Sequence, residues 1–398
     1  MKFSIFANLS GRDRIDEFDK VLDEVREQAV YCDENGYEAI WFTEHHFGHE
    51  GFELIANPIL MGADIAARTK RIRIGQAANV ITFWHPLRLA EDIAMLDQLS
   101  QGRVDVGLAR GLYGREAANL NPLADRKNDA QNRAIYEETV EILKKALSNK
   151  FFSHKGEFYE FPPKGLKWNH PLSPSTSEFM NMDTNEIEKI SIIPPPKQKD
   201  HPPFWQMVES QRSIEEAARN ELNAVLWMPT LEHLKERFKI YQETLSAVKG
   251  KPVAMGEGLG LVRPVYVAET MEQAREDAEQ AVLENYKWVS HWRGLTPLLN
   301  PGEVVGNEQE LDFDFLNPRN LIFGTPEQVT EKIQELKDEL NLQNLLLWVN
   351  LSGLPHEKMM KSLKLFTEKV MPNFVEQTTT EKIGGSADAK SSQVVYSN

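Results

Sequence analysis

Cysteine is almost absent from the sequence, since Cys32 is the only one among 398 residues. The chain therefore cannot form an intramolecular disulfide, which excludes a small secreted fold held together by disulfides. Cys32 falls on the apolar face of a predicted helix, a position typical of a buried structural thiol rather than a nucleophile. Long apolar runs are absent too. No stretch of 18 apolar residues occurs, so the sequence predicts no membrane-spanning helix.

Basic charge is also scarce. The chain has 45 Lys and Arg against 60 Asp and Glu, which gives a formal net charge of −15. This balance argues against nucleic acid or an anionic membrane surface as a partner. The first residues, MKFSIFANLSGR, contain too short an apolar stretch for a signal peptide and are typical of a strand. We therefore expect a cytoplasmic protein.

The first predicted strand is not followed by a GxGxxG turn, which argues against a doubly wound, dinucleotide-binding sheet as the competing architecture. Short apolar strands alternate instead with amphipathic helices along the chain. Strands are predicted at 2–7, 39–44, 71–80, 103–110, 204–210, 224–229, 260–268 and 344–350. Most are too apolar to have a solvated face, which is typical of a parallel sheet covered on both sides. Eight such units predict an α/β fold, a single (β/α)8 TIM barrel with long loop insertions.

Three segments interrupt this pattern. Residues 163–203 are rich in Pro, Ser and Asn and are predicted to form an insertion, and residues 293–320 are predicted to form a lid loop. The polar, Gly- and Ser-rich segment 376–398 has the composition of a disordered tail. The expected organisation is one barrel domain, 1–375, followed by that tail.

A glutamate and two histidines follow the second predicted strand, in the stretch WFTEHHF. A metal site, a structural hydrogen-bond network and a catalytic base would each use such residues. Adjacent side chains on an extended backbone point to opposite faces, and the other strand ends carry no His-x-His pair or clustered Asp, so we expect no metal. Glu44 and His46 are predicted to make structural hydrogen bonds. His45 is the candidate catalytic residue.

Arg110 ends the fourth predicted strand. An arginine at such a junction either binds a phosphate or carboxylate or makes a structural ion pair, and the residue alone does not separate the two. Further along the chain, Ser210 and Ser213 are placed to cap a helix. A helix N-terminus is a natural phosphate site, so the serines favour the phosphate interpretation, with Glu209 holding an arginine in place.

Several stretches, taken in their order and spacing, are similar to one known family. They are MKF (1–3), EHHF (44–47), NPILMGADIAARTKRIRIGQAANVI (57–81), HPLRLAEDIAMLDQLSQGRVDVGLARGLY (85–113), QNRAIYEE (131–138), VESQRS (208–213), FGTPEQ (323–328) and MKSLKLFTEKVMP (360–372). The chain resembles the luciferase-like flavin-dependent monooxygenases, and within them the catalytic alpha subunits of bacterial luciferase. The resemblance runs from residue 1 to about 374, apart from 163–203 and 269–320.

The resemblance implies roles at particular positions. His45 matches a catalytic acid/base beside the flavin, and Ala77 and Ala78 match a cis peptide against the flavin ring. Ala109 stands near the flavin where the light-emitting enzymes have a reactive cysteine, which argues against light emission as the natural role. The matches to the FMN phosphate pocket are Arg110, Arg133, Glu209, Ser210 and Ser213, and those to the flavin walls are Leu112, Tyr113, Met207 and Trp227.

The resemblance also implies an activity, that of a two-component FMN-dependent monooxygenase. A separate NAD(P)H:flavin reductase would supply reduced FMN, and reaction with O₂ through a flavin C4a-(hydro)peroxide would oxidise a hydrophobic aldehyde, ketone or aromatic compound. A homodimer, or a heterodimer with a related subunit, is implied as well. One alternative is an F420-dependent hydride-transfer oxidoreductase of the same barrel family. The other is a non-catalytic partner subunit like the luciferase beta chain, against which the presence of His45, Arg110, Glu209 and Ser210 together argues.

Overall fold

A computed structural model describes residues 1–12, 14–173, 176–306 and 309–375. Parallel strands dominate its centre. The strands are β1 (Lys2–Ala7), β2 (Ala39–Phe42), β3 (Arg73–Gln76), β4 (Asn79–Val80), β5 (Val104–Ala109), β6 (His154–Lys155), β7 (Glu160–Phe161), β8 (Phe204–Met207), β9 (Asn223–Leu226), β10 (Leu259–Val267), β11 (Ile322–Gly324) and β12 (Asn344–Trp348).

Eight of these strands close into a barrel, in the order β1, β2, β3, β5, β8, β9, β10, β12 and back to β1. Every pairing around the ring is parallel. Asn344 shows how the ring closes, because it lies opposite Lys2 of β1 on one side and Gly260 of β10 on the other. Each predicted strand overlaps one of the eight. The predicted TIM-barrel fold is therefore confirmed.

Helices separate the barrel strands along the chain. They are α1 (Phe18–Glu34), α2 (Pro58–Arg68), α3 (Pro86–Leu99), α4 (Gly114–Leu120), α5 (Asp129–Ser148), α6 (Gln211–Arg219), α7 (Leu231–Lys249), α8 (Met271–Arg293), α9 (Phe313–Leu316), α10 (Pro326–Leu340) and α11 (His356–Leu365). In the described part of the chain, none of them is long and apolar enough to span a bilayer.

Local sequence explains where several helices begin. Asn57 precedes α2, and its side-chain oxygen accepts hydrogen bonds from Ile59 N at 3.0 Å and Leu60 N at 2.9 Å. Pro58 then occupies the first helical position, where its missing N–H costs nothing. The α10 helix begins with a reciprocal capping box between Thr325 and Gln328.

Large indole rings fill the middle of the barrel. Trp41 of β2 is 1% exposed and meets Trp205 of β8 edge to face, with ring centroids 5.3 Å apart. Gly75, on the neighbouring strand β3, makes room for this packing, because a Cβ there would lie 2.2 Å from the Trp41 ring. The barrel is thus a packed core, and open space remains beyond the ends of the strands.

The structure differs from the predicted strands in three places. The predicted strand 71–80 is divided into β3 and β4, with Ala77 and Ala78 between them. The three-residue β11 extends the sheet beside Val265–Val267 of β10, and the β6–β7 hairpin stands apart from the barrel. Neither was predicted, since segments of two or three residues are too short to show an apolar period.

The predicted insertion, 163–203, has no regular helix or strand in its described residues, which omit 174 and 175. Its end is tied to α3, because Lys197 N and Gln198 N both donate to Asp97 Oδ2 at 2.7 Å. The predicted lid segment, 293–320, contains the short α9 helix. Its role and the domain limits stay predictions, and the predicted tail, 376–398, lies outside the described residues.

Candidate active site

A deep cavity opens at the carboxyl ends of the barrel strands, where enzymes of this architecture bind their ligands. Its empty volume is about 1390 Å³, counted out to the solvent at its mouth. Barrel residues on its wall are Phe6, Ala109, Gln206, Met207, Val225, Val262 and Trp348.

All of the predicted site residues except Arg133 line this one cavity. They are His45, Ala77, Ala78, Ala109, Arg110, Leu112, Tyr113, Met207, Glu209, Ser210, Ser213 and Trp227. Arg133 lies behind the wall instead. Its side chain is 8% exposed and pairs with Glu216 of α6 and, at 3.4 Å, with Asp129. Arg133 therefore joins α5 to α6 and supports the wall without forming part of it.

The peptide bond between Ala77 and Ala78 is cis, as the resemblance implied. The chain beyond it is fixed by two hydrogen bonds. Val80 N donates to Glu44 Oε2 at 2.8 Å, and Asn79 Nδ2 donates to the carbonyl oxygen of Gly107 at 3.1 Å. Both alanines face the cavity with small side chains, so this part of the wall is backbone and methyl groups.

Glu44 and His46 make the structural contacts expected of them. The Glu44 carboxylate is 2% exposed and accepts from Val80 N and from Trp84 Nε1, the latter at 3.0 Å. His46 Nε2 lies 3.0 Å from Glu44 Oε1. This carboxylate joins the end of β2 to β4 and to the turn before α3.

His45 points the other way, into the cavity. Its side chain is 17% exposed and lies between two carboxylates, with Nε2 3.3 Å from Glu53 Oε1 and Nδ1 3.4 Å from Glu116 Oε1. Burial disfavours the imidazolium, but Glu53 and Glu116 stabilise it more strongly, so the pKa of His45 is raised above its ordinary value. His45 therefore keeps its proton at a higher pH than a free histidine does.

Glu53, Phe52 and Trp288 lie around His45 and the predicted Tyr113, and these three were not predicted from the sequence. Tyr113 Oη donates to Glu53 Oε2 at 2.9 Å and accepts from Trp288 Nε1 at 3.1 Å. Phe52 stacks on Trp288 with ring centroids 5.0 Å apart and an interplanar angle of 12°. Burial, and then the negative charge of Glu53, raise the pKa of Tyr113, so its hydroxyl stays neutral. The four-residue spacing of Trp288 and Trp292 on α8 was the signal available for an aromatic wall.

The other polar part of the cavity surrounds the start of α6. Ser210 Oγ accepts from Ser213 N at 3.2 Å, and Ser213 Oγ accepts from Ser210 N at 3.1 Å, so the two serines form the predicted cap. Arg110 is held by Asp129, with Nη1 2.8 Å from Oδ1. The helix N-terminus and this guanidinium face the same space, an arrangement that suits an anion.

Two further arginines line the cavity and were not predicted. Arg293 ends α8, contacts Glu209 and lies over the Trp227 ring with its Cζ 5.4 Å from the centroid. Arg126 belongs to the loop before α5 and donates to the Gly111 carbonyl oxygen at 3.4 Å. Arg293 stood at the start of a predicted loop, so its sequence position gave no sign of where its side chain would point. Among the described residues, no three His, Cys, Asp or Glu side chains are grouped so as to hold a metal ion.

A family model described as luciferase-like monooxygenase matches residues 1–341. The chain belongs to this family. The predicted resemblance and the predicted enzyme class, a monooxygenase, are both confirmed.

Named relatives of this luciferase-like monooxygenase include oxygenases of several kinds. Over 389 residues it is 28% identical to the oxygenase component of a flavin-dependent trigonelline monooxygenase of Acinetobacter baylyi, covering 94% of this chain and 96% of that protein. Over 374 residues it is 24% identical to an alkanal monooxygenase alpha chain of Photorhabdus luminescens, covering 87% and 90%.

Solved structures share the barrel at lower identity. The oxygenating constituent of 3,6-diketocamphane monooxygenase from Pseudomonas putida, solved with FMN, superposes with a TM-score of 0.70 at 20% identity and covers 94% of this chain and 99% of that one. An F420-dependent secondary alcohol dehydrogenase superposes with a TM-score of 0.63 at 14% identity, with 94% and 99% covered. These likenesses show the fold alone.

The residues of this luciferase-like monooxygenase suit a flavin mononucleotide in two respects. The arginines and the α6 N-terminus offer positive charge for a phosphate. Elsewhere in the cavity, Trp227 Nε1 and Gln206 Oε1 are buried polar atoms with no partner among the described residues. A flat heteroaromatic ring with both donors and acceptors would supply the hydrogen bonds that these atoms lack.

Proposed function

We propose that this luciferase-like monooxygenase is the oxygenase component of a two-component system, which uses reduced FMN and O₂ to oxidise a hydrophobic organic molecule. One arrangement carries the proposal: a positively charged anion site and a histidine with a raised pKa face the same cavity, and the wall between them is aromatic and aliphatic. The overall balance is substrate plus O₂ plus reduced FMN, giving oxygenated substrate, water and oxidised FMN.

The anion site would fix the cofactor. Arg110 would bind the phosphate with two N–H groups, and Ser210 and Ser213 would present hydroxyls and helix N–H groups to the same oxygens. Trp227, Met207, Ala77 and Ala78 line the same cavity and would contact the ring. When bound, reduced FMN would supply the two electrons with which O₂ is activated.

His45 would move the proton. With its pKa raised by Glu53 and Glu116, the imidazolium can donate from Nε2 to the oxygen atom that leaves as water, and the neutral ring can then take a proton back. Phe6, Trp288 and Trp348 line the same cavity and would exclude water from it. Excluding water favours transfer of the oxygen atom to the substrate over side reactions.

We also propose that reduced FMN comes from a separate NAD(P)H:flavin reductase. The chain has no GxGxxG turn after its first strand. The Acinetobacter baylyi relative is named as an oxygenase component, which supports a two-protein system. F420-dependent hydride transfer is the second candidate, because an F420-dependent enzyme shares the barrel.

The test measures binding and turnover together. The protein, FMN, a flavin reductase and NADH are mixed under air with an aldehyde, a ketone or an aromatic compound, and oxygenated product and H₂O₂ are quantified. We expect tight binding of reduced FMN and product formation with at least one substrate class. Binding of reduced F420 but not of reduced FMN would establish hydride transfer instead. Binding of neither cofactor would identify a non-catalytic partner subunit.

A further inference from the structure

Arg293 occupies an unusual position for an arginine. It is the last residue of α8, it lines the cavity, and only 17% of its side chain is exposed. Its Nη1 lies against Glu209 Oε1, yet both Nη1 and Nε are buried with no hydrogen-bond acceptor among the described residues. Buried arginine nitrogens normally have acceptors, so this guanidinium has unused binding capacity.

The charges around Arg293 leave a positive excess. Arg110 pairs with Asp129, Arg293 pairs with Glu209, and Arg126 has no carboxylate partner within ion-pair distance in the described part of the chain. Asp129 is also shared with Arg133. The N-terminus of α6 adds further partial positive charge. This excess, one unpaired guanidinium plus the partial charge of the helix terminus, would attract an anion.

The pKa of Arg293 also indicates that an anion would be stabilised beside it. Burial and, to a smaller extent, the charge of Arg126 outweigh the opposing effects of Tyr113 and Glu53, so the pKa of Arg293 is lowered to about 10. Burying the Arg293 guanidinium costs desolvation free energy, which the contact with the Glu209 carboxylate does not fully offset. A phosphate beside it would supply the missing negative charge.

We propose that Arg293 is a further cationic residue of the cofactor phosphate site, which exchanges Glu209 for the phosphate monoester when the cofactor binds. The identity of that monoester as FMN rests on the proposed function. Glu209 then acts as a stand-in anion that keeps the guanidinium in place before binding. Because Arg293 directly precedes residues 294–320, the phosphate also fixes the start of that segment beside the cavity.

Flavin selectivity tests this role. Dissociation constants of FMN and of riboflavin, which lacks the phosphate, are measured by quenching of flavin fluorescence for the wild type, Arg293→Gln, Arg293→Lys and the control Lys287→Gln. Lys287 is an exposed residue of the same helix, so its substitution removes the same charge away from the cavity. Loss of a charge-assisted hydrogen bond should weaken FMN binding by roughly 10-fold to 100-fold in Arg293→Gln. Riboflavin binding should stay within about threefold by the same reasoning, since no phosphate is present.

The lysine variant keeps the charge and should recover part of the FMN affinity, while Lys287→Gln should match the wild type. Equal weakening of FMN and riboflavin in Arg293→Gln would overturn the inference, because it would mark a purely structural residue. Unchanged FMN affinity would overturn it as well.

A measurement with inorganic phosphate alone separates this inference from the proposed function. Phosphate is titrated with each protein, and broadening of its ³¹P resonance reports binding without any flavin. We expect broadening with the wild type and Lys287→Gln, and its loss with Arg293→Gln. Equal broadening with Arg293→Gln, or none with the wild type, would refute the phosphate role even if FMN turnover were demonstrated. Phosphate binding without FMN turnover would refute the proposed function alone.

Discussion

Removing the His45 imidazole should separate cofactor binding from oxygen transfer. The side chain lies between Glu53 and Glu116 at 3.3 and 3.4 Å, and the anion site uses other residues, just after β5 and at the start of α6. His45→Ala should therefore change the dissociation constant of FMN by less than about threefold, because no phosphate contact is lost. Product formation should fall by roughly 10²–10⁴, the range for a lost general acid–base group.

The assay follows product, H₂O₂ and NADH consumption in the same coupled reaction. The variant should still consume NADH and O₂ but release H₂O₂ in place of oxygenated product. His46→Ala is the matched control, since it also removes an imidazole next in sequence but breaks the contact with Glu44 at 3.0 Å. It should lower the free energy of unfolding by about 1–3 kcal/mol and leave turnover by the folded protein near that of the wild type. Near-full turnover by His45→Ala with a loss in His46→Ala would refute this reasoning.

The pH dependence of product formation tests the same role of His45. If the imidazolium is the proton donor, activity should persist above pH 6.5 and decline only as the pH rises through the raised pKa of His45. Glu53→Gln removes one of the charges that raise this pKa, so the alkaline decline should move to lower pH. An alkaline decline at the same pH in both proteins would show that another group donates the proton.

Four further predictions can be measured separately. The Asp33 carboxylate accepts hydrogen bonds from the N–H groups of residues 70–72, and its pKa is lowered because these hydrogen bonds outweigh burial. Asp33→Asn should therefore lower the free energy of unfolding by roughly 1.5–3 kcal/mol near pH 7. The difference between the two proteins should shrink below about pH 4, as the wild-type carboxylate is protonated. Light scattering at micromolar concentration should show a dimer formed through helices 58–69 and 86–99, which expose several apolar side chains; a monomeric mass would contradict it. Proteolysis within 293–320 should slow when reduced flavin or substrate is bound, and equal cleavage would exclude a lid. Deleting 379–398 should preserve solubility and flavin binding, and loss of either would assign the segment a structural role.

The barrel was predictable because its signals are local and repeated. Each strand is a short apolar run, and α2 and α3 begin with Pro at 58 and 86, at the first helical position. Alternation on an extended backbone implied that at most one of His45 and His46 faces inward, and the family resemblance identified it as His45. The structure places them in this way, His45 toward Glu53 and His46 toward Glu44.

What could not be predicted depends on contacts between residues distant in sequence. Trp288 meets Tyr113 across 175 positions, and Arg293 meets Glu209 across the cavity. No local pattern encodes either pairing, since each follows from how α8 is placed over the barrel mouth. Arg133 shows a second limit, because a match to a family position does not determine which residues the side chain contacts. Its position matched the family's phosphate pocket, but in this chain Glu216 holds its guanidinium behind the wall.

The placement of α8 has a consequence for how the substrate range of this protein could change. Asn285, Trp288 and Val289 lie on one face of this single helix and line the cavity, whereas His45 follows β2 and the anion site lies after β5, at the start of α6 and at Arg293, where α8 ends. Substitutions along that face would reshape the wall without altering the strands that close the barrel. We therefore expect diversification of the substrate to be concentrated on one helical stripe, which makes α8 the first target for directed evolution toward new oxygenation substrates.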